Sequence, residues 1–578
     1  MYTENGLLNF DGGANYLAFL QQKSTTKTDK LMASSHIGYK ILENLIFETN
    51  LGFNRISLNG FSIYPRTSQN PANNPNNQAQ YANNTSTTFD IEPQIDYHRN
   101  IGGGKLQALI GGTYQSTISK GDFIQGENYK DENLFGNMAG AGLLNTYLST
   151  YSQYKYSSLF GRLNYNLQDK YILNISYRRD GSSRFGPGKQ FGDFGAVGAA
   201  WLFSKESFTN SLFPFLSYGK LRASYGTVGN EPAGNYQYLQ SYNLSFYGTY
   251  NGNTSTTPAR LANPDFRWEL NKKVEFGIET GFFKDRILLT TSWFRNRTAN
   301  QLVNYSLPSQ TGFTKYTYNL PAVVQNVGLE FSLNTINIKS STFTWSTNFN
   351  LSFIQNKLIS YPGLESSSYK DLYQVGESLS IKKGALFAGV DPKTGTLLFY
   401  SSTGEKILNP TSYKDRYQKI GKTMPDYFGA LTNTLKTGSF ELSFLIQFVK
   451  QEGYKPAFAP GELHSYMPQE ALQRWQKEGD ITDIPKASLL AGEAYINFKS
   501  SNYFWGDASY IKLKNLSLSY SLPSLWLTKA RINQLRIYAQ GQNLFTITKY
   551  KGTDPEIPGV GLYIPTLRVI SLGLQLTL

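Results

Sequence analysis

The segment Val569-Ile570-Ser571-Leu572-Gly573-Leu574-Gln575-Leu576-Thr577-Leu578 alternates apolar with small or polar residues up to the final position. Successive side chains of a strand point to opposite faces. Ile570, Leu572, Leu574, Leu576 and Leu578 therefore share one face, and Ser571, Gly573, Gln575 and Thr577 share the other. About ten residues is the length with which a tilted strand crosses a bilayer. The same rhythm recurs along the chain, so it predicts an all-β protein: a transmembrane antiparallel β-barrel with one lipid face and one wet face.

Composition agrees where it discriminates. There are 41 Tyr and 52 Gly in 578 residues, and the mean hydropathy is −0.38. No apolar run reaches the roughly 18 residues of a membrane helix. A barrel escapes such averaging because every second residue is polar, and it uses Tyr and Trp at its interfaces. The rival on composition alone is a large soluble glycan-binding β protein, which would leave membranes without detergent. Cysteine is absent, which removes disulfides, thiol nucleophiles and thiolate metal sites. His36, His98 and His464 have no metal-ligand spacing, so no metal or other cofactor is expected. The net charge of +14 is scattered rather than gathered into a basic helix or stripe. It suits the phosphates of outer-membrane lipid and lipopolysaccharide, not nucleic acid. The start, Met1-Tyr2-Thr3-Glu4-Asn5, is polar and reads as no export leader.

Reading along the chain, amphipathic segments pair across turns. Leu159-Gly161-Leu163-Tyr165-Leu167 turns at Gln168-Asp169-Lys170 into Tyr171-Leu173-Ile175-Tyr177, with Arg162, Asn164, Asn166, Asn174 and Ser176 on the other face. The connections alternate strictly, with short ones near 41–44, 98–104, 168–170, 283–286, 336–341 and 436–439. Long ones are expected near 56–85, 117–155, 229–266, 297–321, 356–423 and 450–506. Short periplasmic turns and long extracellular loops are the outer-membrane pattern. Pro93 is expected to make a bulge or a lipped strand end, and the phase slip at Lys514-Asn515 a bulge. The count is roughly 17 crossings, an odd number, whereas complete barrels of this kind are even. An odd number of further strands is therefore expected upstream.

Several stretches carry a resemblance. Arg178-Arg179-Asp180-Gly181-Ser182-Ser183-Arg184-Phe185-Gly186-Pro187 and Leu221-Arg222-Ala223-Ser224-Tyr225-Gly226-Thr227-Val228-Gly229-Asn230 resemble signatures of SusC/RagA-type TonB-linked outer-membrane transporters. So do Trp268-Glu269, Met424-Pro425-Asp426-Tyr427-Phe428-Gly429, Tyr510-Ile511-Lys512-Leu513-Lys514-Asn515 and Gly541-Gln542-Asn543-Leu544-Phe545-Thr546, the last leading to Tyr550 and Asp554-Pro555-Glu556. The set covers nearly the whole chain, in order. The resemblance implies a barrel of about 22 strands behind a plug, so residues 1–578 are expected to be the C-terminal barrel region, with plug and N-terminal extension absent from this chain. It implies TonB-dependent import of oligosaccharides or peptides, with TonB acting through the missing N-terminal region and a SusD-like surface lipoprotein as lid. The alternatives are a passive porin-like channel and a structural subunit of a larger envelope assembly.

No nucleophile, base and acid come together in the sequence, so an enzyme is not expected and no catalytic residue is assigned. Asp391-Pro392-Lys393-Thr394-Gly395 lacks the further carboxylates of a calcium loop and reads as a structural turn. Recognition falls to the long loops. Tyr236, Tyr238, Tyr242, Tyr247 and Tyr250 carry rings that could stack on sugars or hold peptides; packing of loop on loop or an interfacial girdle is the favoured reading. Met467 to Glu478 is predicted as an amphipathic helix whose Leu472, Arg474 and Trp475 could touch a partner, with loop packing again the favoured reading. Tyr503, Phe504 and Trp505 are expected in an aromatic belt just above a strand.

Overall fold

Alternation becomes ladder throughout. The computed structural model describes residues 8–10, 15–231, 234–250, 253–462, 467–489, 492–527, 532–559 and 564–577, without the side chains of 16, 210, 245–250, 253–254, 309 and 524–525. Seventeen strands form one antiparallel sheet: β1 Ser24–Leu42, β2 Leu45–Tyr64, β3 Gln78–Ile101, β4 Gly104–Glu127, β5 Leu143–Leu167, β6 Tyr171–Ser182, β7 Phe191–Trp201, β8 Leu216–Asn230, β9 Glu269–Phe282, β10 Ile287–Ala299, β11 Val323–Lys339, β12 Phe343–Ser360, β13 Tyr427–Thr437, β14 Phe440–Lys450, β15 Tyr510–Ser521, β16 Gln534–Thr548 and β17 Val569–Thr577. Each strand pairs with the next in sequence. β1 and β17 are not paired with one another among the described residues, so the sheet is open along that line.

One face is apolar and outward over the whole sheet. Register carries it from strand to strand: Phe47 opposes Ile95, Leu163 opposes Ile175, Phe276 opposes Trp293 and Leu442 opposes Leu518. Apolar side chains on this face stay exposed, up to Leu572 at 84%. A contiguous exposed apolar band of this size has no aqueous explanation; it is the hydrocarbon contact of a barrel.

Short and long connections alternate as expected except that 202–215 on the short side outgrows 183–190 on the long side. Two expected loops, 56–85 and 117–155, shrink while 361–426 and 451–509 stay long. On the short-turn side, residues 102–103 carry Gly102 and Gly103 at φ 58° and 76°, a turn that favours glycine. Residues 283–285 take the left-handed region without glycine, and Asp285 is held there by Ser217, whose hydroxyl donates to it at 2.6 Å. Two connections on this side are longer, 202–215 and 522–533, with short helices Ser207–Leu212 and Ser524–Leu527. The first is pinned by Glu206, which accepts from Lys170, Tyr171 and Trp201 at 2.9, 2.7 and 3.2 Å. Those donors hold its carboxyl down at about 2.

On the other side, 56–85 is mostly strand. Asn59 opposes Asn83 and Asn54 opposes Thr88, leaving only 65–77 as loop. Likewise 117–155 is mostly β4 and β5, with Lys120 opposite Tyr151. Once register is set, backbone bonding continues past the apolar band, and alternation is no longer required where both faces are wet. Pro93 makes no bulge. Ile91 pairs Tyr114 and Gln94 pairs Gly111, so the register to β4 is unchanged and only rungs at Glu92 and Pro93 are missing. The expected slip at Lys514 is present, with register shifts on both flanks of β15 that keep Ile511, Leu513, Leu516 and Leu518 on one face.

The buried apolar clusters lie at the long-loop end. The main one joins segments 361–426 and 451–509 through Leu397, Phe399, Phe458, Ile484, Phe498 and Phe504. These two connections form a cap with its own core. The expected aromatic belt at Tyr503, Phe504 and Trp505 is instead cap interior: Phe504 is 2% exposed, and the Trp505 indole donates to Glu452 at 2.9 Å. Tertiary packing of two loops a hundred residues apart claims rings that the local pattern places at a membrane surface.

Candidate functional site

The face opposite the apolar band carries charge. On β8, the Arg222 guanidinium pairs with Glu275, donates to Glu279 at 3.1 Å and to the Ser292 hydroxyl at 2.7 Å, while Lys220 lies 3.2 Å from Glu279. Lys220 and Arg222 are two residues apart, as strand geometry requires for one face; that spacing was readable in the sequence and the cluster was missed. On β6, Arg178 pairs with Asp180 and donates to the Tyr156 hydroxyl at 2.5 Å and to Ser158 at 3.1 Å. Paired charges on one wall make a wetted lining. By contrast, a hollow of about 780 Å³ lined by Leu173, Ala199, Trp201, Leu221, Phe276 and Trp293 opens on the outward face, where it belongs to the lipid contact.

Most of the stretches that carry the sequence resemblance converge into two knots at the long-loop rim. In the first, the rings of Phe185 and Trp268 lie 4.8 Å apart, with Phe266 and Phe194 against them. A Cβ on Gly186 would overlap the Pro264 carbonyl, which explains glycine there. Glu269 is buried and accepts from the Leu302 amide at 2.7 Å and from Asn230 at 2.8 Å. In the second knot, Lys512 is 3% exposed and donates to Glu556 at 2.6 Å and Thr566 at 2.8 Å; Lys514 lies 2.5 Å from Glu556. Asp554 accepts from the Thr566 and Glu556 amides, both at 3.0 Å, and from the Thr566 hydroxyl. Burial pushes both carboxyls up, yet these hydrogen bonds and the lysines outweigh it and hold both below their ordinary range. Connection 549–568 is thereby fastened to the wet face of β15.

The predicted recognition residues fall unevenly. Tyr236, at φ 59°, accepts the Gln153 amide on its hydroxyl at 2.8 Å, and its carbonyl accepts from Arg260 at 2.8 Å. The Tyr238 carbonyl accepts the Asn263 amide at 2.9 Å. Both positions tie one loop to its neighbours. Tyr242 is exposed, with its hydroxyl 2.7 Å from the Gln240 amide. The side chains of Tyr247 and Tyr250 lie outside the described residues, as does His464.

The helix predicted over Met467 to Glu478 is not there. A five-residue 3-10 turn, Gln469–Gln473, ends at Arg474 in extended conformation. Trp475 is instead drawn down onto another loop: its indole donates to the Pro392 carbonyl at 3.0 Å and its ring covers Gly395. Ala471 enters the cap core while Leu472 stays 67% exposed. Long-range bonds therefore outcompete a helix this short. Asp391 closes its own turn, accepting from the Lys393 amide at 2.9 Å and the Thr394 hydroxyl at 3.0 Å, which hold its carboxyl below the usual carboxylate range.

Comparison with known proteins places this geometry. The family profile described as TonB dependent receptor-like, beta-barrel, matches residues 2–544. TonB-dependent receptor P3 of Formosa agariphila is 28% identical over 96% of this chain and 57% of its own length. TonB-dependent receptor SusC of Bacteroides thetaiotaomicron is 25% identical over 80% of this chain and 47% of its own. The solved structure of the RagAB peptide transporter superposes with a TM-score of 0.86 at 21% identity, covering 97% of this chain and 63% of that one. The chain spans about half the length of the curated relatives it matches.

Proposed function

The chain belongs to the TonB dependent receptor-like β-barrel family, as an outer-membrane receptor of SusC/RagA type, and from that premise we propose that it forms the wall, loops and cap of an active importer. The cargo in this reading is an oligosaccharide or a peptide, and a SusD-like surface lipoprotein covers the extracellular end. One observation carries it: an inner face with charges held in pairs at Arg178 and at Lys220 and Arg222 lies beneath an extracellular cap that has its own aromatic core. A nonspecific pore needs the first and has no use for the second. The exposed Leu472, with Arg474 beside it, offers the lipoprotein a contact, and Trp475 holds that contact in place. Among the described tyrosines of that loop, Tyr242 is the one whose ring is exposed for cargo. Residues 1–578 would supply the barrel region, with the plug and the TonB-contacting segment lying outside them.

The test is uptake of labelled maltotriose and of a labelled tripeptide by cells producing the full-length protein, with and without TonB. TonB-dependent uptake of either, with a lipoprotein co-purifying, supports import. Equal uptake without TonB overturns it in favour of passive diffusion.

A further inference from the structure

Between two extracellular hairpins lies a polar hollow of about 460 Å³, within the size range of ligand sites. One hairpin is Ser241–Tyr250 with Asn253–Arg260; the other is Gln301–Ser306 with Lys315–Leu320. Its lining includes Gln237, Asn243, Arg260, Asn304 and Lys315, and no Asp or Glu.

The hydrogen bonds around it leave donors over. Arg260 donates from Nε to the Leu239 carbonyl at 3.0 Å, from Nη1 to Gln237 Oε1 at 3.2 Å and from Nη2 to the Tyr236 carbonyl at 2.8 Å. All three acceptors are neutral, and two of its five N–H groups remain. Because Gln237 spends its oxygen on Arg260, its amide N–H groups are left over. Asn304 likewise spends its Oδ1 on the Thr317 hydroxyl at 3.0 Å, leaving its Nδ2. Among the described residues, no carboxylate pairs with Arg260 or Lys315. Burial alone moves the Arg260 guanidinium, downward, with no acidic neighbour opposing it. Glu269, a buried acid on this rim, already serves Leu302 and Asn230, and Asp265, near Tyr316, lies 3.8 Å from Lys189. A half-buried cation without a counter-ion, facing a second cation across a ring of spare donors, is built for an anion.

The geometry points to this hollow as a subsite for a carboxylate-bearing group of the cargo, a uronic acid or an acidic peptide side chain, gripped by Arg260 and Lys315 with Gln237 and Asn304 as orienting donors. The inference rests on the import reading, in that the bound group is part of the cargo.

Lys315 is the residue to change, because it is exposed and ends a hairpin, whereas Arg260 also ties three loop positions together. The full-length protein, wild type and Lys315→Glu, is titrated in detergent with trigalacturonate, with N-acetyl triaspartate amide and with maltotriose; heat-modified gel mobility verifies that the variant is folded. One of the acidic probes should bind, and Lys315→Glu should weaken it at least about tenfold, the equivalent of one charged hydrogen bond. Which probe binds separates sugar from peptide. Binding of maltotriose as tight as that of the acidic probes, binding of neither acidic probe, or unchanged affinity in the folded variant would each overturn the assignment. TonB-dependent uptake of a neutral cargo would survive any of those results, so the two readings fail separately.

Discussion

Replacing Phe444 with arginine probes the face assignment on which the rest depends. Phe444 is the fifth residue of β14, opposite Asn433 on one side and Leu516 on the other. At about 3.4 Å per residue it lies about 14 Å along the strand from Phe440, hence about 10 Å deep for a strand tilted by about 45°. That is near the middle of an apolar band about 25 Å tall. Arginine there should cost about 2–4 kcal/mol, the lower end applying if the side chain snorkels to the periplasmic interface. In equilibrium terms this is a factor of roughly 30 to 700. Ser443 points to the wet face, beside Thr434 with hydroxyls 3.4 Å apart. Ser443→Arg should stay within about 0.5 kcal/mol of wild type. Denaturant unfolding of the full-length protein refolded into lipid vesicles measures both. Equal destabilisation by the two substitutions, or the reverse order, would refute the assignment of faces and with it the barrel wall.

Other perturbations test the rim. Lys512→Met leaves Glu556 with Lys514 alone and takes the buried ammonium from beside Asp554, and should cost about 3 kcal/mol, seen as faster hydrogen exchange across 549–568. Protection factors over 549–568, taken against the intrinsic exchange rate at each pH, should fall on acidification. Both carboxyls sit below their ordinary values of 3.8 for Asp554 and 4.5 for Glu556, so their contribution is complete above those values and drains as pH falls through them. Gly395→Ala forces a Cβ into the Trp475 ring at φ 68° and should destabilise the local turn by about 1–2 kcal/mol, read as earlier proteolysis of the cap. Phe399→Ala removes a fully buried ring of the cap core and should cost about 3–5 kcal/mol of cap stability, while heat-modified mobility of the barrel is unchanged.

How far the sequence could be read depended on which contacts were local. The strand at Tyr171, the turn at 168–170 and the slip at Lys514 were legible because side-chain alternation records the face each residue meets in its own strand. The long reach of β2 through β5 beyond the membrane was not, since Asn59 and Asn83 are paired through backbone groups that any residue supplies. Trp475 and Phe504 were misplaced for a related reason: each is claimed by a loop distant in the chain, and no local periodicity marks such a partner. The sequence draws attention to the rings of the tyrosine loop, whereas the hollow beside it is lined by Arg260, Gln237 and Lys315, which come from separate segments. The sequence by itself determined a lipid face, a wet face, their register and the parity of turns, because these follow from a period of two in a bilayer. Only the tertiary structure decided what the loops build, because a cap and a charged hollow arise from side chains that meet across segments with no shared rhythm.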